Sequence, residues 1–207
     1  FPGHGDTYID SHRDLPVVKR SKADVWKIDL TPFREGIKAG VDVVMTSHII
    51  YKSLDPDNPA TFSKIILQQI LRKELGFKGV IISDSMNMHS LQKHYNPVDA
   101  AIAAISAGVD LIMLAEEHYD HDCDYQKRQR FLIEGVIQAI KNGKIPEERL
   151  ISALKRIRNL RKKSGLLTTK KPKIRDLNHS SQKAAEMALR LLQKHHEWSS
   201  PKQGRRL

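Results

Sequence analysis

The sequence of 207 residues contains one cysteine, few aromatic residues and no long apolar run. A single cysteine, Cys123, excludes a scaffold held together by disulfide bonds, but it leaves the cellular compartment open. Because no apolar run reaches about 18 residues, the sequence predicts no membrane-spanning helix. The remainder is 40% hydrophobic and 29% charged, which is the composition of a globular protein with a packed core.

Positive charge dominates the sequence as a whole, with a formal net charge of +11, but it is concentrated in the last quarter. Residues 151–207 hold 16 Lys and Arg against 3 Asp and Glu, whereas residues 1–150 hold 19 against 21. Such a basic segment is compatible with a binding module for nucleic acid or another anionic surface. No nucleic-acid-binding motif accompanies the charge, so we expect no nucleic-acid partner.

Short apolar runs alternate with helical patterns. Three β-branched runs predict buried parallel strands at residues 41–45, 80–82 and 109–114. Helices are predicted at residues 32–39, 63–75, 97–107, 126–141 and 146–163. The string Ala39–Met45 recurs nearly unchanged as Ala107–Met113, so a helix end and its following strand repeat as a unit. This alternation predicts an α/β fold with a parallel sheet, either doubly wound or a (β/α)8 barrel.

The predicted domain organisation is one α/β domain over residues 1–166, followed by a basic linker, a helix and a tail over residues 167–207. Within the second segment the helix is predicted at residues 181–194. Three strands, or four with the entry segment, cannot close a barrel of eight. A motif is also already under way at Phe1. We therefore expect the sequence to be a fragment of a larger fold.

Functional residues of α/β sheets collect beyond the carboxyl ends of the strands. Asp84 follows the run 80–82 and suits a nucleophilic carboxylate that attacks a sugar carbon. A strand-end aspartate suits the N-cap of the next helix equally well. His48 follows the run 41–45 and fits either a hydrogen bond to substrate or structural support.

The opening loop is rich in histidine and aspartate. Asp10 and His12 are two residues apart, so Asp10 can fix the tautomer of His12 and raise its basicity, or the contact can simply order the loop. His4, between two glycines, suits either a substrate contact or backbone ordering, and we place both His4 and His48 on the substrate side. The set His4, Asp6, Asp10 and His12 also fits a metal-dependent hydrolase. Its spacing is not diagnostic, and we expect no metal and no cofactor.

The string FPGHGDTYIDSHRDLP, residues Phe1–Pro16, resembles the signature loop of bacterial β-N-acetylglucosaminidases of glycoside hydrolase family 3. The resemblance continues in order through residues 29–51, 54–63, 71–88 and 100–114, and it covers about residues 1–166. The combination is far more specific than any one of these strings.

The resemblance implies a (β/α)8 TIM barrel of which this chain supplies the second half, strands five to eight, with C-terminal helices. It assigns Asp84 as the nucleophile, His12 as the general acid/base and Asp10 as the partner of His12. The implied substrate is a terminal β-linked N-acetylglucosamine on peptidoglycan fragments or chitooligosaccharides, and the implied partner is the missing N-terminal half of the barrel. Ser85 stands where the family usually has a second acidic residue, so the electrostatics beside Asp84 differ.

The sequence is therefore compatible with four functional hypotheses. The first is a retaining β-N-acetylhexosaminidase, in which the neutral histidine base repels an anionic acceptor less than a carboxylate and so admits phosphate in place of water. The others are a metal-dependent hydrolase, a non-catalytic basic binding module, and a truncated barrel that is inactive by itself.

Overall fold

A computed structural model describes residues 1–8, 14–115, 125–166, 183 and 186–187. The chain divides into two compact units, Phe1–Leu167 and Thr168–Leu207. The predicted linker and most of the predicted helix 181–194 lie outside the described residues, although Lys183, Glu186 and Met187 are helical. In the described parts of the chain, no helix combines the length and apolar character that crossing a membrane requires.

The first unit contains five described strands and several kinds of helix. The strands are β1 Val17–Val18, β2 Val43–Met45, β3 Ile50–Tyr51, β4 Val80–Ser85 and β5 Leu111–Met113. The α-helices are α1 Lys22–Asp24, α2 Thr31–Lys38, α3 His89–Gln92, α4 Pro97–Ala107, α5 Tyr125–Lys141 and α6 Glu147–Lys163. Two π-helices, Val25–Asp29 and Ile65–Glu74, and a 3-10 helix, Ala60–Phe62, complete the set.

The main sheet has the strand order β2–β4–β5, and both pairings are parallel. The three predicted strands and their parallel arrangement are therefore confirmed. Phe1 extends this sheet beyond β2, because its amino group donates to the carbonyl of Met45 and its carbonyl accepts from the amide of Ser47 at 3.1 Å. A separate parallel pair, β1 with β3, was not predicted, since two-residue strands are too short to show a pattern.

The helices follow the boundaries that their end residues indicate. Asn96 caps α4 by accepting hydrogen bonds from the amides of Val98 and Asp99, and proline occupies the first turn of both α2 and α4. Gly108 ends α4 with φ 128°, and a Cβ atom there would lie 1.8 Å from the side-chain nitrogen of Gln68. The predicted helix 63–75 forms as a π-helix, a wider winding that apolar spacing alone does not distinguish from an α-helix.

The two faces of the main sheet differ in burial. Val44 and Ile81, which pair in register, are buried, whereas the neighbouring pair Met45 and Ile82 lies on the opposite face. Met45 is 44% exposed and Ile82 is partly exposed. The prediction of strands buried on both faces thus holds at Val80 and Ile81, which lie on opposite faces, but not at Met45. An apolar run indicates what a strand is suited to bury, and the rest of the fold decides whether it is covered.

The two repeated strings place an aspartate before β2 and before β5, with different results. Asp42 forms an exposed ion pair with Lys163. The side chain of Asp110 is fully buried and accepts hydrogen bonds from three arginines, Arg72 at 2.6 Å, Arg149 at 2.9 Å and Arg156 at 3.1 Å. This arginine cluster joins the second π-helix and α6 to the amino-terminal ends of the strands, at the end of the sheet opposite Asp84.

Candidate active site

Asp84 lies at the carboxyl end of β4. Because side chains alternate along a strand, Ser83 and Ser85 point to the buried face of the sheet, while Asp84 lies on the less buried face with Ile82. One carboxylate oxygen of Asp84 accepts a hydrogen bond from the amide of Ser85 at 2.8 Å. The N-cap of the following helix α3 is Met88, not Asp84. The alternative of a capping aspartate is therefore wrong.

A cavity of about 470 Å³ opens beside Asp84. Its polar lining comes from His4, Thr46, Ser47 and Asp84, and its apolar lining comes from Phe1, Phe33 and the residues of β2, among others. The structure thus brings His4 and Asp84, two of the predicted site residues, to the same cavity. An apolar cleft with a few convergent polar groups is typical of a small-molecule site.

His4 is exposed and is held by a local turn. Its Nδ1 atom lies 2.6 Å from the hydroxyl of Thr7, which also donates to the carbonyl of His4 at 3.0 Å. Because the hydroxyl has one hydrogen, this arrangement makes Nδ1 the donor to Thr7. His4 therefore orders the loop backbone and also lines the cavity, and its contact with substrate stays a prediction.

His48 is buried, with 1% of its surface exposed, and it follows Thr46 and Ser47, which line the cavity. Its Nδ1 atom is 2.8 Å from the hydroxyl of Thr61, and its Nε2 atom is 3.0 Å from the carbonyl oxygen of Ser85. Both ring nitrogens thus face protein groups. Of the two roles left open for His48, this geometry favours structural support over a hydrogen bond to substrate.

Asp10 and His12 lie outside the described residues, so their predicted pairing stays a prediction. Residues 3–8 lead into their loop and are called its first stem, and residues 14–16 follow the loop and are called its second stem. Gly5 has φ 65°, and a Cβ atom there would meet Val18 at 2.6 Å, so only glycine fits this contact. The hydroxyl of Tyr51 donates to the carbonyl of Gly3 at 3.0 Å, and burial raises the pKa of this tyrosine, which keeps the donor protonated.

Ion pairs form on the residues at either side of the same loop. Arg20 lies 2.6 Å from Asp29 and 3.7 Å from Asp6, so it ties the first stem to the first π-helix. Burial raises the pKa of Asp29, and the charge of Arg20 opposes that effect. Asp14, on the second stem, accepts a hydrogen bond from His94 at 2.9 Å. These contacts lie on the described residues that flank the segment of Asp10 and His12.

Several residues of the site have no sequence signal of their own. Thr61 and Tyr51 are buried but lie outside the predicted helices and strands. Asn87 donates to the carbonyl of Ala115 at 2.8 Å, which ties the end of β4 to the end of β5. Their roles depend on partners that are far apart in sequence.

The hypothesis of a metal site in the opening loop is not tested by the structure. Across residues 1–8, 14–115 and 125–166, no three histidine, cysteine, aspartate or glutamate residues lie together as metal ligands. Two of the four proposed ligands, Asp10 and His12, fall outside those ranges.

Comparison with known proteins identifies the family. Residues 1–160 match the sequence model of the glycosyl hydrolase family 3 N-terminal domain. Beta-hexosaminidase A of Pseudoalteromonas piscicida is 36% identical over 175 residues, which are 79% of this chain and 29% of that protein. Beta-hexosaminidase of Psychromonas ingrahamii is 36% identical over 173 residues, 83% of this chain and 47% of that protein.

Solved structures agree with the sequence matches. A family 3 beta-N-acetylglucosaminidase from Paenibacillus sp. strain FPU-7 superimposes with a TM-score of 0.76 at 34% identity, over 85% of this chain and 32% of that one. The beta-N-acetylglucosaminidase from Thermotoga maritima gives a TM-score of 0.66 at 29% identity, over 77% of this chain and 33% of that one. This chain spans less than half the length of these relatives. It belongs to glycoside hydrolase family 3 and has the TIM-barrel-type α/β fold of that family.

Proposed function

We propose that this chain carries the nucleophile of a retaining β-N-acetylglucosaminidase, with Asp84 as that nucleophile. The observation that carries the proposal is the position of Asp84, at the carboxyl end of a central parallel strand and in the wall of a cavity. Functional residues of TIM-barrel enzymes lie at this end of the strands. Relatives named as hexosaminidases give the substrate class.

The proposed reaction has two steps. Asp84 attacks the anomeric carbon of a terminal β-linked N-acetylglucosamine, while His12 protonates the departing glycosidic oxygen. His12, oriented by Asp10, then deprotonates a water molecule that attacks the same carbon and breaks the bond to Asp84. Two displacements at one carbon retain its configuration, and a histidine takes the place of the usual second carboxylate.

The nucleophile assignment is tested by trapping. A fluorinated N-acetylglucosaminide slows the second step and leaves the sugar bound to the enzyme, so peptide mass spectrometry is expected to find the label on Asp84. Asp84→Asn is expected to abolish labelling. A label on any other residue would contradict the assignment.

The role of His12 is tested with leaving groups. A general acid contributes typically about 100- to 10,000-fold, and it matters most when the leaving group is poor. His12→Ala is therefore expected to slow natural disaccharides far more than activated aryl glycosides. Equal losses on both kinds of substrate would show that His12 is not the acid.

We also propose that residues 1–166 are the second half of the barrel, strands five to eight. The half-exposed apolar face of the main sheet supports this, because a closed barrel would bury it against the other strands. The pairing of Phe1 at the edge of β2 supports it as well, since it places a further strand position there. The coverage of 29–47% of the first two relatives is of the size expected for half a barrel.

Complementation tests this second proposal. The chain is assayed with an aryl β-N-acetylglucosaminide alone and together with the first four strand–helix units of a family relative. Activity is expected only in the mixture, and Asp84→Asn in this chain is expected to remove it. Full activity of the chain by itself would overturn the half-barrel proposal while leaving the hydrolase proposal intact.

The same assay addresses the substrate and the acceptor. Peptidoglycan fragments and chitooligosaccharides are the two proposed glycans, and their relative values of kcat/KM decide between them. Adding inorganic phosphate and looking for N-acetylglucosamine 1-phosphate tests whether phosphate replaces water as the acceptor.

A further inference from the structure

We infer that His48 is a positioning residue for Asp84 and acts through the carbonyl group of Ser85. The inference rests on the proposed role of Asp84 as the nucleophile. It differs from the substrate contact predicted from sequence, because His48 here touches the strand that carries the nucleophile.

Ser85 is held from two sides. Its amide donates to the Asp84 carboxylate at 2.8 Å, and its carbonyl accepts from Nε2 of His48 at 3.0 Å. A carbonyl oxygen only accepts hydrogen bonds, so Nε2 must carry a hydrogen. His48 therefore fixes the peptide unit between Ser85 and Met86 and, through the backbone of Ser85, the amide that binds the carboxylate of Asp84.

The strand pairing is irregular at this point. Ile82 pairs with Leu111 and Ser85 pairs with Met113, so three steps along β4 match two steps along β5. Such a bulge disrupts the regular ladder and redirects a side chain, and bulges are common beside active sites. Because the ladder to β5 is interrupted around Asp84, the hydrogen bond from His48 supplies a restraint from the β2 side of the sheet.

The ring of His48 is itself fixed by a buried hydroxyl. The Oγ1 atom of Thr61 lies 2.8 Å from Nδ1 of His48, 2.9 Å from the hydroxyl of Thr46 and 3.1 Å from the carbonyl of Ser47. The side chains of Thr46, His48 and Thr61 are all buried. This network locks the ring orientation. In a neutral ring with the hydrogen on Nε2, the Nδ1 atom accepts from the hydroxyl of Thr61, whose single hydrogen then does not go to the carbonyl of Ser47.

The kinetic consequence follows from this geometry. Without His48, the carbonyl of Ser85 keeps only the hydrogen bond from the amide of Met88 at 3.2 Å. The bulge is then less restrained, which displaces the carboxylate from the anomeric carbon. A misplacement of about 1 Å can cost about 100-fold in rate. The loss is expected in kcat and for good and poor leaving groups alike, since the nucleophile acts on all of them.

The experiment compares three variants in the assay in which the wild type hydrolyses the aryl glycoside. His48→Phe is expected to lower kcat by about 10- to 100-fold with KM changed less than about threefold. His48→Gln keeps an amide donor for the carbonyl of Ser85 and is expected to recover part of that loss. Gln68→Leu is the matched control, because Gln68 makes a similar bond, at 3.0 Å, to the carbonyl of Ala107 away from the cavity.

The outcomes separate the alternatives. If His48→Phe and Gln68→Leu lower the melting temperature by the same amount and both keep the kcat of the wild type, His48 is merely structural and the inference is overturned. A rise in KM with kcat unchanged would instead restore the substrate contact predicted from sequence. Recovery of kcat in His48→Gln supports the donor to Ser85 as the feature that matters.

A spectroscopic measurement keeps the inference separate from the proposed activity. Nitrogen-15 NMR of the wild-type chain is expected to show a hydrogen on Nε2 of His48, and the Cγ resonance of Asp84 is expected to shift in His48→Phe but not in Gln68→Leu. A bare Nε2, or an Asp84 resonance unmoved by His48→Phe, would overturn the inference. If the wild type hydrolyses no glycoside, the proposed function fails, and these resonances still decide the positioning role.

Discussion

The carboxylate of Asp110 makes more polar contacts than any sequence pattern around it indicates. It is fully buried, and Arg72, Arg149 and Arg156 surround it, with the amide of Ile81 as a further donor at 3.0 Å. Burial lowers the pKa of Arg72 to about 10, while the charge of Asp110 acts in the opposite direction. Arg72 is therefore charged at neutral pH, and Asp110 is the carboxylate that all three arginines contact.

Removing that partner is the first stability prediction. Breaking a buried ion pair by neutralising one side typically costs about 3–5 kcal/mol, because the remaining charge is left uncompensated. Asp110→Asn is expected to lower the free energy of unfolding in urea by that amount. Asp42→Asn, the matching position in the repeated string, breaks an exposed pair and is expected to cost less than about 1 kcal/mol. Equal losses of unfolding free energy in the two variants would contradict the stabilising role of the arginine cluster.

A pH-dependent contact links the loop of Asp10 and His12 to the segment after α3. The hydrogen bond from His94, followed by that from the amide of Leu15, lowers the pKa of Asp14 from its ordinary value of 3.8. A carboxyl group whose pKa is lowered by folding contributes stability above its unfolded pKa. That contribution is lost as the pH falls through the lower folded value.

His94→Phe is therefore expected to raise the pKa of Asp14 towards 3.8. Carbon-13 NMR titration of the carboxyl group measures the change. His4→Phe, whose ring bonds to Thr7 rather than to Asp14, serves as the control and is expected to leave the titration unchanged. An Asp14 pKa that stays low in His94→Phe would contradict the assigned cause.

At the scale of elements, the opening loop depends on close contact between its stem and β1. Gly5 has a positive φ and leaves no room for a Cβ atom against Val18. The loop is therefore held at its base by main-chain geometry, while Arg20 and Tyr51 fasten the same stem with polar contacts.

Gly5→Ala is expected to destabilise the protein by at least about 1 kcal/mol, since a left-handed backbone costs an alanine about 1–2 kcal/mol even before the clash. Gly36→Ala lies in α2 with no atom within 4 Å of the new methyl group, and it is expected to stabilise by up to about 1 kcal/mol. Thermal unfolding of both variants measures the difference. The melting temperature is expected to fall in Gly5→Ala and to rise in Gly36→Ala. A rise in Gly5→Ala would refute the close contact.

At the scale of the whole molecule, the predicted catalytic residues and the basic excess fall in different parts of the sequence. The predicted catalytic residues all lie in residues 1–150, which are nearly neutral, whereas the basic excess lies in residues 151–207. Part of that excess, Arg156 and Lys163 on α6, is already used in ion pairs with Asp110 and Asp42. The net charge of +11 therefore does not by itself require an acidic partner.

Chelation tests the metal-dependent alternative on the whole protein. Because the proposed reaction uses a carboxylate and a histidine, hydrolysis of the aryl glycoside is expected to be unchanged after dialysis against EDTA. A zinc-dependent hydrolase treated in parallel should lose its activity. Loss of activity here, restored by added zinc, would favour the loop of His4, Asp6, Asp10 and His12 as a metal site.

Much of the fold was predictable because its signals are local. The apolar runs of β2, β4 and β5 and the proline and glycine residues at helix ends lie within a few positions of one another. The position of Asp84 followed from the same information, since it comes directly after a predicted strand. The pair β1 and β3, the bulge at Ser85 and the partners of His48 were not predictable, because each depends on residues distant in sequence.

The sequence by itself determined the α/β class, the parallel strands, the family resemblance and the location of the basic segment. Only the tertiary structure decided that Asp84 faces a cavity rather than capping a helix, that His48 faces the carbonyl of Ser85, and that two like strings give a buried Asp110 and an exposed Asp42. The physical reason is the same in each case. Strand and helix patterns are encoded by neighbouring residues, whereas burial and hydrogen-bond partners are set by the segments that pack around each side chain.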